Sequence, residues 1–462
     1  MLKRTAMNTL IRWKNREHHP LVISGLRQVG KTFIVREFGH EYYKNVVYLD
    51  LRENKTIHSV FEGDFIVDQM VLAITANQPD AVFEAGNTLL ILDEIQDCPN
   101  ARSSLKYWAL DKRYDVIATG SFLGAKGFRK PYTRGIPVGF EETLVMHPLS
   151  FREFICNIGL KDQVLEYVEQ SLEKSEIIQT TIHESMRSLY LQYLIVGGMP
   201  EAVNKFFETH DINQVRKIQV NILNSIRDDF GRYKNSNDED KVNEVLKLRA
   251  EACLDSLPVQ LAKEYKKFQY SLVDARGHSP EKADGLEYLL DVGLVVKSFN
   301  IREISCPLEG VKIQNEFKVF MTDTGLLMSQ LEPCTAAQVL QGNLSAYKGA
   351  IAENMVAASF AAEDSNLYYY HAPNGSPELD FIYNNNGIPT IIECKSTNGR
   401  ATSMKYVIAN PQKYGVHPAI KIADTNVGVG PGYKTYPIYA LGFLPSGQDT
   451  FIVKEIKTDL PE

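Results

Sequence analysis

Residues 21–38 read LVISGLRQVGKTFIVREF, and this stretch decides the fold that we predict for the chain. A short apolar run leads into the loop GLRQVGKT at residues 25–32, and the residues after it can form a helix. This order of strand, G-x-x-x-x-G-K-[ST] loop and helix is that of a phosphate-binding P-loop. Its glycines let backbone N–H groups surround a phosphate at the positive end of a helix dipole. We therefore expect ATP and Mg²⁺ to bind here, with Lys31 on the β- and γ-phosphates and Thr32 on the metal.

A second stretch, TLLILDEIQD at residues 88–97, predicts the acidic half of the same site. Its continuous apolar run is typical of a central parallel strand that is covered on both faces. At the end of this strand, expected beside the P-loop strand, Asp93 would hold the magnesium ion and Glu94 would polarise the attacking water. The residues expected to bind the nucleotide are Gly25, Arg27, Gln28, Val29, Gly30, Lys31, Thr32, Phe33, Asp93 and Ser121.

Two more candidates follow in sequence. The segment DVIATGS at residues 115–121 predicts a strand whose tip lies next to that of Asp93, so Thr119 or Ser121 could sense the terminal phosphate. An ordinary turn at Gly120 is the alternative. Arg134 lies on a loop rich in proline and glycine and is a candidate arginine finger, although an exposed arginine is usually only solvated.

Length and composition limit the class of protein. A chain of 462 residues is too long for one ordinary core and predicts two or three domains. The net charge of −7 does not exclude nucleic-acid binding, because a basic patch can lie within an acidic total. No apolar run approaches the ~20 residues that a membrane-spanning helix needs, and the N-terminus lacks a secretory signal, so we expect a cytoplasmic protein without membrane contact. The six cysteines show no C-x-x-C spacing and predict reduced thiols rather than a zinc site.

Six segments follow one another along the chain: GLRQVGKT, LLILDEIQD, ATGSFLG, RGIPVGFEE, PLSFREF and YLIVGGMPEAV. Their ordered series resembles the bacterial and archaeal AAA-like P-loop ATPases that carry a conserved C-terminal domain of unknown function. The resemblance implies an α/β fold with an AAA-like parallel sheet at residues 1–150, a helical lid or connector at 151–234, a winged-helix-like segment at 235–310, and an α/β restriction-endonuclease-like domain at 311–462.

The middle of the chain agrees with this division. The helical spacing of Leu, Ile, Glu, Gln and Lys predicts a bundle of helices, and GGMP at residues 197–200 interrupts it. The polar run NSNDED at 235–240 predicts a linker. The winged-helix-like segment has a basic tilt that suits phosphate backbones, although such residues are usually a solvated helix face. The residues that give this tilt are Lys263, Lys266, Lys267, Arg276, His278 and Lys282.

The C-terminal third contains a second candidate site. Asp380 in PELDF and the pair Glu393-x-Lys395 in TIIECKS form the signature of a PD-(D/E)xK nuclease-like fold, with Glu353 as the usual extra acid on a helix. Glu353, Asp380 and Glu393 would offer hard oxygen ligands to Mg²⁺, and Lys395 would orient or activate water. Many E-x-K strings are instead simple salt bridges. The usual proline directly before the aspartate is replaced here by Pro377-Glu378-Leu379, which leaves the metal geometry open.

These motifs allow two main hypotheses of function. In one, ATP hydrolysis is coupled to DNA or RNA binding or to Mg²⁺-dependent cleavage by the C-terminal domain. In the other, the protein is a nucleotide-dependent switch or scaffold whose nuclease-like domain is inactive. A nucleotide kinase is a weaker third hypothesis, because no acceptor-binding lid motif is visible. A homo-oligomer is plausible for this class of ATPase.

Overall fold

We describe the chain from a computed structural model. It covers residues 2–121, 139–230, 243–263, 265–273, 279–341, 348–395 and 399–444. Arg134, the linker at 235–240, Arg276 and His278 lie outside the described residues. So do the side chain of Lys282 and the central part of the expected arginine-finger loop.

The N-terminal region forms a parallel sheet that, in the described residues, has five strands in the order β2-β3-β4-β1-β5. Its elements are α1 (Thr5–Lys14), β1 (Leu21–Gly25), α2 (Lys31–Tyr42), β2 (Asn45–Asp50), α3 (Val67–Asn77), β3 (Thr88–Asp93), α4 (Pro99–Asp111), β4 (Asp115–Thr119) and β5 (Glu142–Met146). Every residue of β3 is buried, as its apolar run predicts. One expectation was wrong: β4, and not β3, lies beside the P-loop strand β1. Asp93 is therefore two strands away from the loop rather than one.

A layer of helices follows the first sheet. Its members are α5 (Phe151–Asn157), α6 (Asp162–Lys174), α7 (Thr180–Val196), α8 (Pro200–Thr209), α9 (Ile212–Asp229), α10 (Glu244–Ala262) and α11 (Ser279–Asp291). The predicted break at residues 197–200 is confirmed, since α7 ends directly before Gly197 and α8 begins at Pro200. A Cβ atom on Gly198 would lie 2.2 Å from the backbone oxygen of Leu149, so only glycine fits this crossing of two chain segments.

The C-terminal region forms a mixed sheet with, among the described residues, eight strands in the order β12-β13-β11-β10-β9-β8-β6-β7. Its strands are β6 (Val295–Ile301), β7 (Lys312–Met321), β8 (Leu367–His371), β9 (Glu378–Asn385), β10 (Ile388–Lys395), β11 (Ala419–Ala423), β12 (Gly428–Gly430) and β13 (Tyr433–Pro437). Its helices are α12 (Thr324–Ser329), α13 (Cys334–Gln341), α14 (Lys348–Ala362), α15 (Thr402–Ala409) and α16 (Pro411–Tyr414).

The predicted boundary at residue 310 does not agree with this sheet. Strand β6 lies within the segment expected to be winged-helix-like, and it pairs with β7 on one side and with β8 on the other. A strand of the expected middle domain is thus built into the C-terminal sheet. Local sequence could not show this, because the hydrogen bonds of β6 go to strands that follow later in the chain.

The helical layer and the C-terminal sheet share one large hydrophobic core, which includes Leu26 of the P-loop and otherwise runs from Leu149 to Leu441. Two polar contacts reinforce this junction. Two guanidinium nitrogens of Arg187, on α7, donate to the two carboxylate oxygens of Asp424 at 2.5 and 2.8 Å. A ring nitrogen of His183 lies 2.8 Å from the Tyr439 hydroxyl. These helices therefore connect the two sheets. Among the described residues, no helix combines the length and the apolar character that crossing a bilayer requires.

Candidate functional site

The P-loop takes its shape from two glycines. Gly25, the last residue of β1, has φ of +140°, and a Cβ atom there would lie 2.1 Å from the backbone oxygen of Met146 on the neighbouring strand β5. Gly30 has φ of +95° and is the N-cap of α2. Other residues rarely adopt these left-handed conformations, so both glycines of the motif are needed for the bend and for the close approach to β5.

Lys31 folds back over the loop. Its ammonium group donates to the backbone oxygens of Gly25 and Leu26, at 2.9 and 3.0 Å, and lies 3.2 Å from the Ser121 hydroxyl. Burial lowers the pKa of Lys31 to about 8, although Glu94 and Asp93 act in the opposite direction. The predicted contact of Ser121 with the site is thus a contact with the P-loop lysine.

Asp93 is the centre of the acidic half of the site. The Thr32 hydroxyl lies 3.1 and 3.0 Å from its two carboxylate oxygens, and the Thr119 hydroxyl also donates to it. The structure thus brings together three residues that the sequence singled out on separate elements. Tyr48, at the end of β2, donates to Asp93 from 2.7 Å and was not foreseen. Its signal was present in the sequence, since it lies in the apolar run VVYLDL at residues 46–51, which is typical of a buried strand.

Glu94 follows Asp93 in a left-handed conformation, with φ of +54°. Its carboxylate accepts from Arg52 at 2.9 Å and from the Gln96 amide. Arg52 also donates to Asp97 at 2.9 Å. Burial alone would lower the pKa of Arg52, but Glu94 and Asp97 outweigh burial and raise it. Sequence reasoning missed Arg52, although it lies two residues after the end of strand β2, which pairs with β3 in register at Asp50 and Asp93.

The variable residues of the loop are engaged by the protein itself. Arg27 forms an ion pair with Asp229 at the end of α9, and the Gln28 amide lies 3.4 Å from the Ser225 hydroxyl on the same helix. The backbone oxygen of Val29 accepts from Arg4 at 3.1 Å. Phe33 leaves 55% of its side chain exposed. The loop is thus held on one side by α9 and on the other by the start of α1.

These residues fit a magnesium nucleotide. Thr32 and Asp93 present adjacent oxygen atoms, the donors that Mg²⁺ prefers. The Lys31 ammonium rests on neutral carbonyl and hydroxyl oxygens, which a phosphate can replace with a stronger partner. When bound, Mg²⁺ supplies charge neutralisation for the phosphates.

The four residues predicted for the second site also come together. Lys395 lies 2.7 Å from Glu393 and 3.7 Å from Asp380, and Asp380 accepts the backbone N–H of Cys394 at 2.8 Å. Glu353 lies on α14, and the charge of Asp380 raises the pKa of both Glu353 and Glu393, to which Glu353 adds a further rise at Glu393. We call Glu353, Asp380 and Glu393 the carboxylate cluster.

Burial dominates the electrostatics of the carboxylate cluster. It raises the pKa of Glu393 to about 8, with a further contribution from Asp380, and it raises the pKa of Glu353 for the same two reasons. Among the described residues, the Oε2 atoms of Glu353 and Glu393 are buried and have no hydrogen-bond partner. Such oxygens are costly unless a cation or a donor joins them.

Lysine side chains form ion pairs with two of the three acids of the carboxylate cluster. Within the described part of the chain, no group of three or more His, Cys, Asp or Glu side chains is arranged to hold a metal ion. Lys395 is on Glu393, and Lys266 pairs with Glu353. A third lysine, Lys318 of β7, is 1% exposed and lies 3.0 Å from Glu378. Sequence reasoning missed Lys318, because nothing local marks a lysine inside an apolar strand as part of a site.

The lysines that we expected to contact a phosphate backbone form hydrogen bonds and ion pairs within the chain. Lys263 donates to Gln260 and to the backbone oxygen of Lys267, at 2.9 and 2.7 Å. Lys267 pairs with Glu316 at 2.9 Å, and Lys266 is taken by Glu353. Each of these three lysines has a partner within the chain, and their contact with a phosphate backbone stays a prediction.

Comparisons with known proteins match the chain in three parts. A family model described as an AAA domain matches residues 17–155. Models described as domains of unknown function (DUF8612 and DUF4143) match residues 187–334 and 348–441. No curated protein matches the chain.

Several solved structures are similar to parts of the chain. The Walker-type ATPase PABY2304 of Pyrococcus abyssi is 13% identical, with 71% of this chain and 96% of that chain covered and a TM-score of 0.41. The RuvB Holliday junction branch migration motor of Thermotoga maritima is 14% identical, covering 64% and 89%, with a TM-score of 0.28. The ORC2 protein of Aeropyrum pernix is 14% identical, covering 72% and 90%, with a TM-score of 0.24. At TM-scores this low, these likenesses support no conclusion about this chain.

The AAA match covers β1 to β5 and the start of the helical layer, and thus contains the P-loop, Asp93, Glu94 and Ser121. Residues 17–155 thus form an AAA-like domain that contains the P-loop site.

Proposed function

We propose that the protein binds and hydrolyses ATP at the P-loop and couples its nucleotide state to nucleic-acid binding or Mg²⁺-dependent cleavage by its C-terminal region. The observation that carries the first part is the convergence of Lys31, Thr32, Asp93 and Glu94 at one edge of the sheet. In this proposal Lys31 contacts the β- and γ-phosphates, Thr32 and Asp93 hold the metal, and Glu94 positions the attacking water.

ATP turnover by the full chain tests this part. Lys31→Ala should lose both ATP binding and turnover, because it removes the cation of the loop. Glu94→Gln should still bind ATP and lose at least about 100-fold in turnover, as expected when a positioned base is removed. Lys44→Ala is a matched control, since Lys44 is an exposed lysine that pairs with Glu84 at 2.7 Å. Unchanged turnover in both site variants would reject the proposal.

The second part is supported by the topology around the carboxylate cluster. Helix α14 leads into the antiparallel strands β8, β9 and β10, and after α15 the strand β11 returns parallel to β10. Glu353 lies on the helix, Asp380 on β9, and Glu393 and Lys395 on β10. This order of elements and acids is what a nuclease-like fold of the PD-(D/E)xK type would need.

A group of lysines beside the cluster favours a nucleic-acid partner. Lys421 of β11 lies opposite Glu393 in the strand register. Burial lowers the pKa of Lys421, and the positive charges of Lys405 and Lys395 lower it further, which shows that the three are neighbours. Concentrated positive charge next to the carboxylate cluster suits a phosphate backbone.

The coupling is supported by a continuous line of contacts. Arg27 of the P-loop pairs with Asp229, whose backbone oxygen accepts the Tyr288 hydroxyl of α11 at 3.3 Å. Helix α11 packs along α10, and the segment after α10 enters the carboxylate cluster through Lys266. A change at the loop on ATP binding would therefore reach the second site through packed elements.

Titrating Mg²⁺ and Mn²⁺ with single- and double-stranded DNA and RNA tests the cleavage. The wild-type chain should cleave at least one of them in a metal-dependent manner, and Lys395→Ala should not. Lys297→Ala is a matched control, because Lys297 lies in the same sheet but pairs with Glu287 at 2.5 Å.

The alternative function is a nucleotide-dependent switch or scaffold whose C-terminal region binds without cutting. The occupation of the carboxylates by Lys266 and Lys395 favours it. ATP-dependent nucleic-acid binding without cleavage at any metal concentration would establish this alternative in place of the nuclease.

A further inference from the structure

Residues 395–440 are strongly basic, although the whole chain carries a net charge of −7. Their only acid is Asp424, and Arg187 donates to both of its carboxylate oxygens. A local excess of positive charge in an acidic chain favours an anionic partner. The basic residues of this stretch are Lys395, Arg400, Lys405, Lys413, Lys421 and Lys434.

Helices α15 and α16 cover one face of the C-terminal sheet. Met404 of α15 and Tyr414 of α16 pack in one hydrophobic cluster with Ile391 and Ala419 of the sheet. Because successive side chains of a strand point to opposite faces, Lys421 lies on the same face of β11 as Ala419. The lysines of α15, α16 and β11 therefore lie on one side of the sheet.

Exposed side chains of these two helices combine positive charge with a half-exposed aromatic ring. Tyr406 is 49% exposed, and its ring centroid lies 6.1 Å from that of the buried Tyr414, at an interplanar angle of 66°. The Lys413 ammonium lies 5.0 Å from the centre of the same Tyr414 ring, and Lys405 precedes Tyr406 in α15. Among the residues that the structure describes, neither Lys405 nor Lys413 forms an ion pair with an acid. We call Lys405, Tyr406 and Lys413 the basic aromatic surface.

This combination of side chains fits a single strand of nucleic acid. An ammonium without an acidic partner can replace a counterion of a phosphate, and an exposed tyrosine ring can stack on a base. The bases of a duplex are already stacked on one another, so a duplex offers Tyr406 no free base. Lys421 is a neighbour of both Lys405 and Lys395, and Lys395 pairs with Glu393 of the carboxylate cluster. A strand on the basic aromatic surface would therefore lie beside that cluster.

We propose that the basic aromatic surface binds single-stranded nucleic acid, with Lys405 and Lys413 on phosphates and the Tyr406 ring on a base. This inference rests on the proposed nucleic-acid partner of the C-terminal region and adds to it a surface and a class of strand. The contacts are electrostatic and stacking interactions, so binding here needs neither a metal ion nor ATP hydrolysis.

The test measures binding of labelled oligonucleotides of one length to the full chain by fluorescence anisotropy. The probes are single-stranded DNA, single-stranded RNA and duplex DNA, and EDTA in the buffer prevents any metal-dependent cleavage. Wild type should bind at least one of the single strands more tightly than the duplex. Tyr406→Leu should bind that strand about 10-fold more weakly, because the stacking partner is lost, whereas Tyr406→Phe keeps the ring and should bind like wild type.

The salt dependence of binding measures the phosphate contacts and keeps the inference testable if Tyr406→Leu does not fold. Lys405→Gln and Lys413→Gln should each reduce the slope of log affinity against log salt concentration by about 0.7, the value for one phosphate contact on a single strand. Lys434→Gln is the matched control and should keep the slope of wild type. Lys434 is also exposed, but it pairs in register with Ile420 and thus lies on the opposite face of the sheet from Lys421.

The possible failures can be told apart. Wild-type affinity in folded Tyr406→Leu, unchanged salt slopes in both lysine variants, or a duplex bound at least as tightly as the single strands would overturn the inference and leave the proposed nucleic-acid partner standing. If wild type binds no oligonucleotide, the proposed nucleic-acid function fails and the inference fails with it. Binding of anionic lipid vesicles in place of oligonucleotides would assign the surface to a membrane and overturn the inference.

Discussion

The affinity of the P-loop for ATP should depend on pH through Lys31. Burial lowers the pKa of this lysine to about 8 in the nucleotide-free protein. The phosphates of ATP need the charged ammonium, so binding above that pKa must first take up a proton. At pH 7 most molecules already carry the charge, whereas at pH 9 only about one in ten does, and the cost of protonation is about 1.4 kcal/mol.

The expected result is a loss of about 10-fold in ATP affinity between pH 7 and pH 9, with proton uptake on binding at the higher pH. The sign follows from the direction of the shift, because a lysine with a lowered pKa is neutral at a pH where an ordinary lysine is still charged. Calorimetry in buffers with different ionisation enthalpies measures both quantities. A non-hydrolysable ATP analogue keeps turnover out of the measurement.

Lys31→Arg is the matched control, since a guanidinium stays charged throughout this range. Its absolute affinity can differ from that of wild type, but its affinity should not change between pH 7 and pH 9. Lys263, whose pKa burial also lowers to about 8, is present in both proteins and cancels in the comparison. Equal affinities of wild type at the two pH values, or the same loss in Lys31→Arg, would refute the reasoning.

Two predictions concern the framework that holds the sites. Gly198→Ala should destabilise the protein by about 3 kcal/mol, because its Cβ would lie 2.2 Å from the backbone oxygen of Leu149. The clash would also disturb the hydrogen bonds that Gly198 makes with Leu149 and Asp323, at 2.7 and 2.6 Å. Urea denaturation measures this, with Gly63→Ala as control, since a Cβ at Gly63 meets nothing within 4 Å; similar midpoints for the two variants would contradict it. Arg187→Ala should lower stability by about 1–2 kcal/mol, a value reduced for the partial exposure of its pair with Asp424. Thermal unfolding should show a lower melting temperature for this variant and almost no change for Lys205→Ala, which breaks only a surface pair with Glu208. Equal decreases in melting temperature would argue against a role of Arg187 at the junction.

The P-loop half of the site could be predicted from sequence because its geometry is local. Gly25, Gly30, Lys31 and Thr32 lie within eight residues, and the strand before them and the helix after them fix where each one points. Asp93 could be added because a fully apolar strand indicates a central place in a parallel sheet, so that the acid at its end lies at the same edge as the loop. The contacts of Thr119 with Asp93 and of Ser121 with Lys31 needed the structure, which shows that β4 lies between β1 and β3.

The partners of these residues could not be predicted, because they depend on the order of strands and on the packing of helices. Tyr48 and Arg52 reach Asp93 and Glu94 only because β2 lies beside β3. The sequence predicts that Arg27 contacts a phosphate. In the structure Arg27 forms an ion pair with Asp229, about 200 residues later in the chain. Strand β6 reads as part of a local winged helix, while its hydrogen bonds belong to the C-terminal sheet. In each case the deciding contact joins segments that are distant in sequence.

The carboxylate cluster shows how such a distant contact changes the functional interpretation. The motif alone describes Glu353, Asp380 and Glu393 with a single lysine, a set that carries a net negative charge and invites a metal ion. The fold adds Lys266 and brings Lys318 close, so that positive charges from three different segments surround the acids. Buried carboxylates that repel one another are stabilised when cations accompany them or when one of them takes up a proton. A chain that provides those cations itself can bury these three carboxylates together without any added ion.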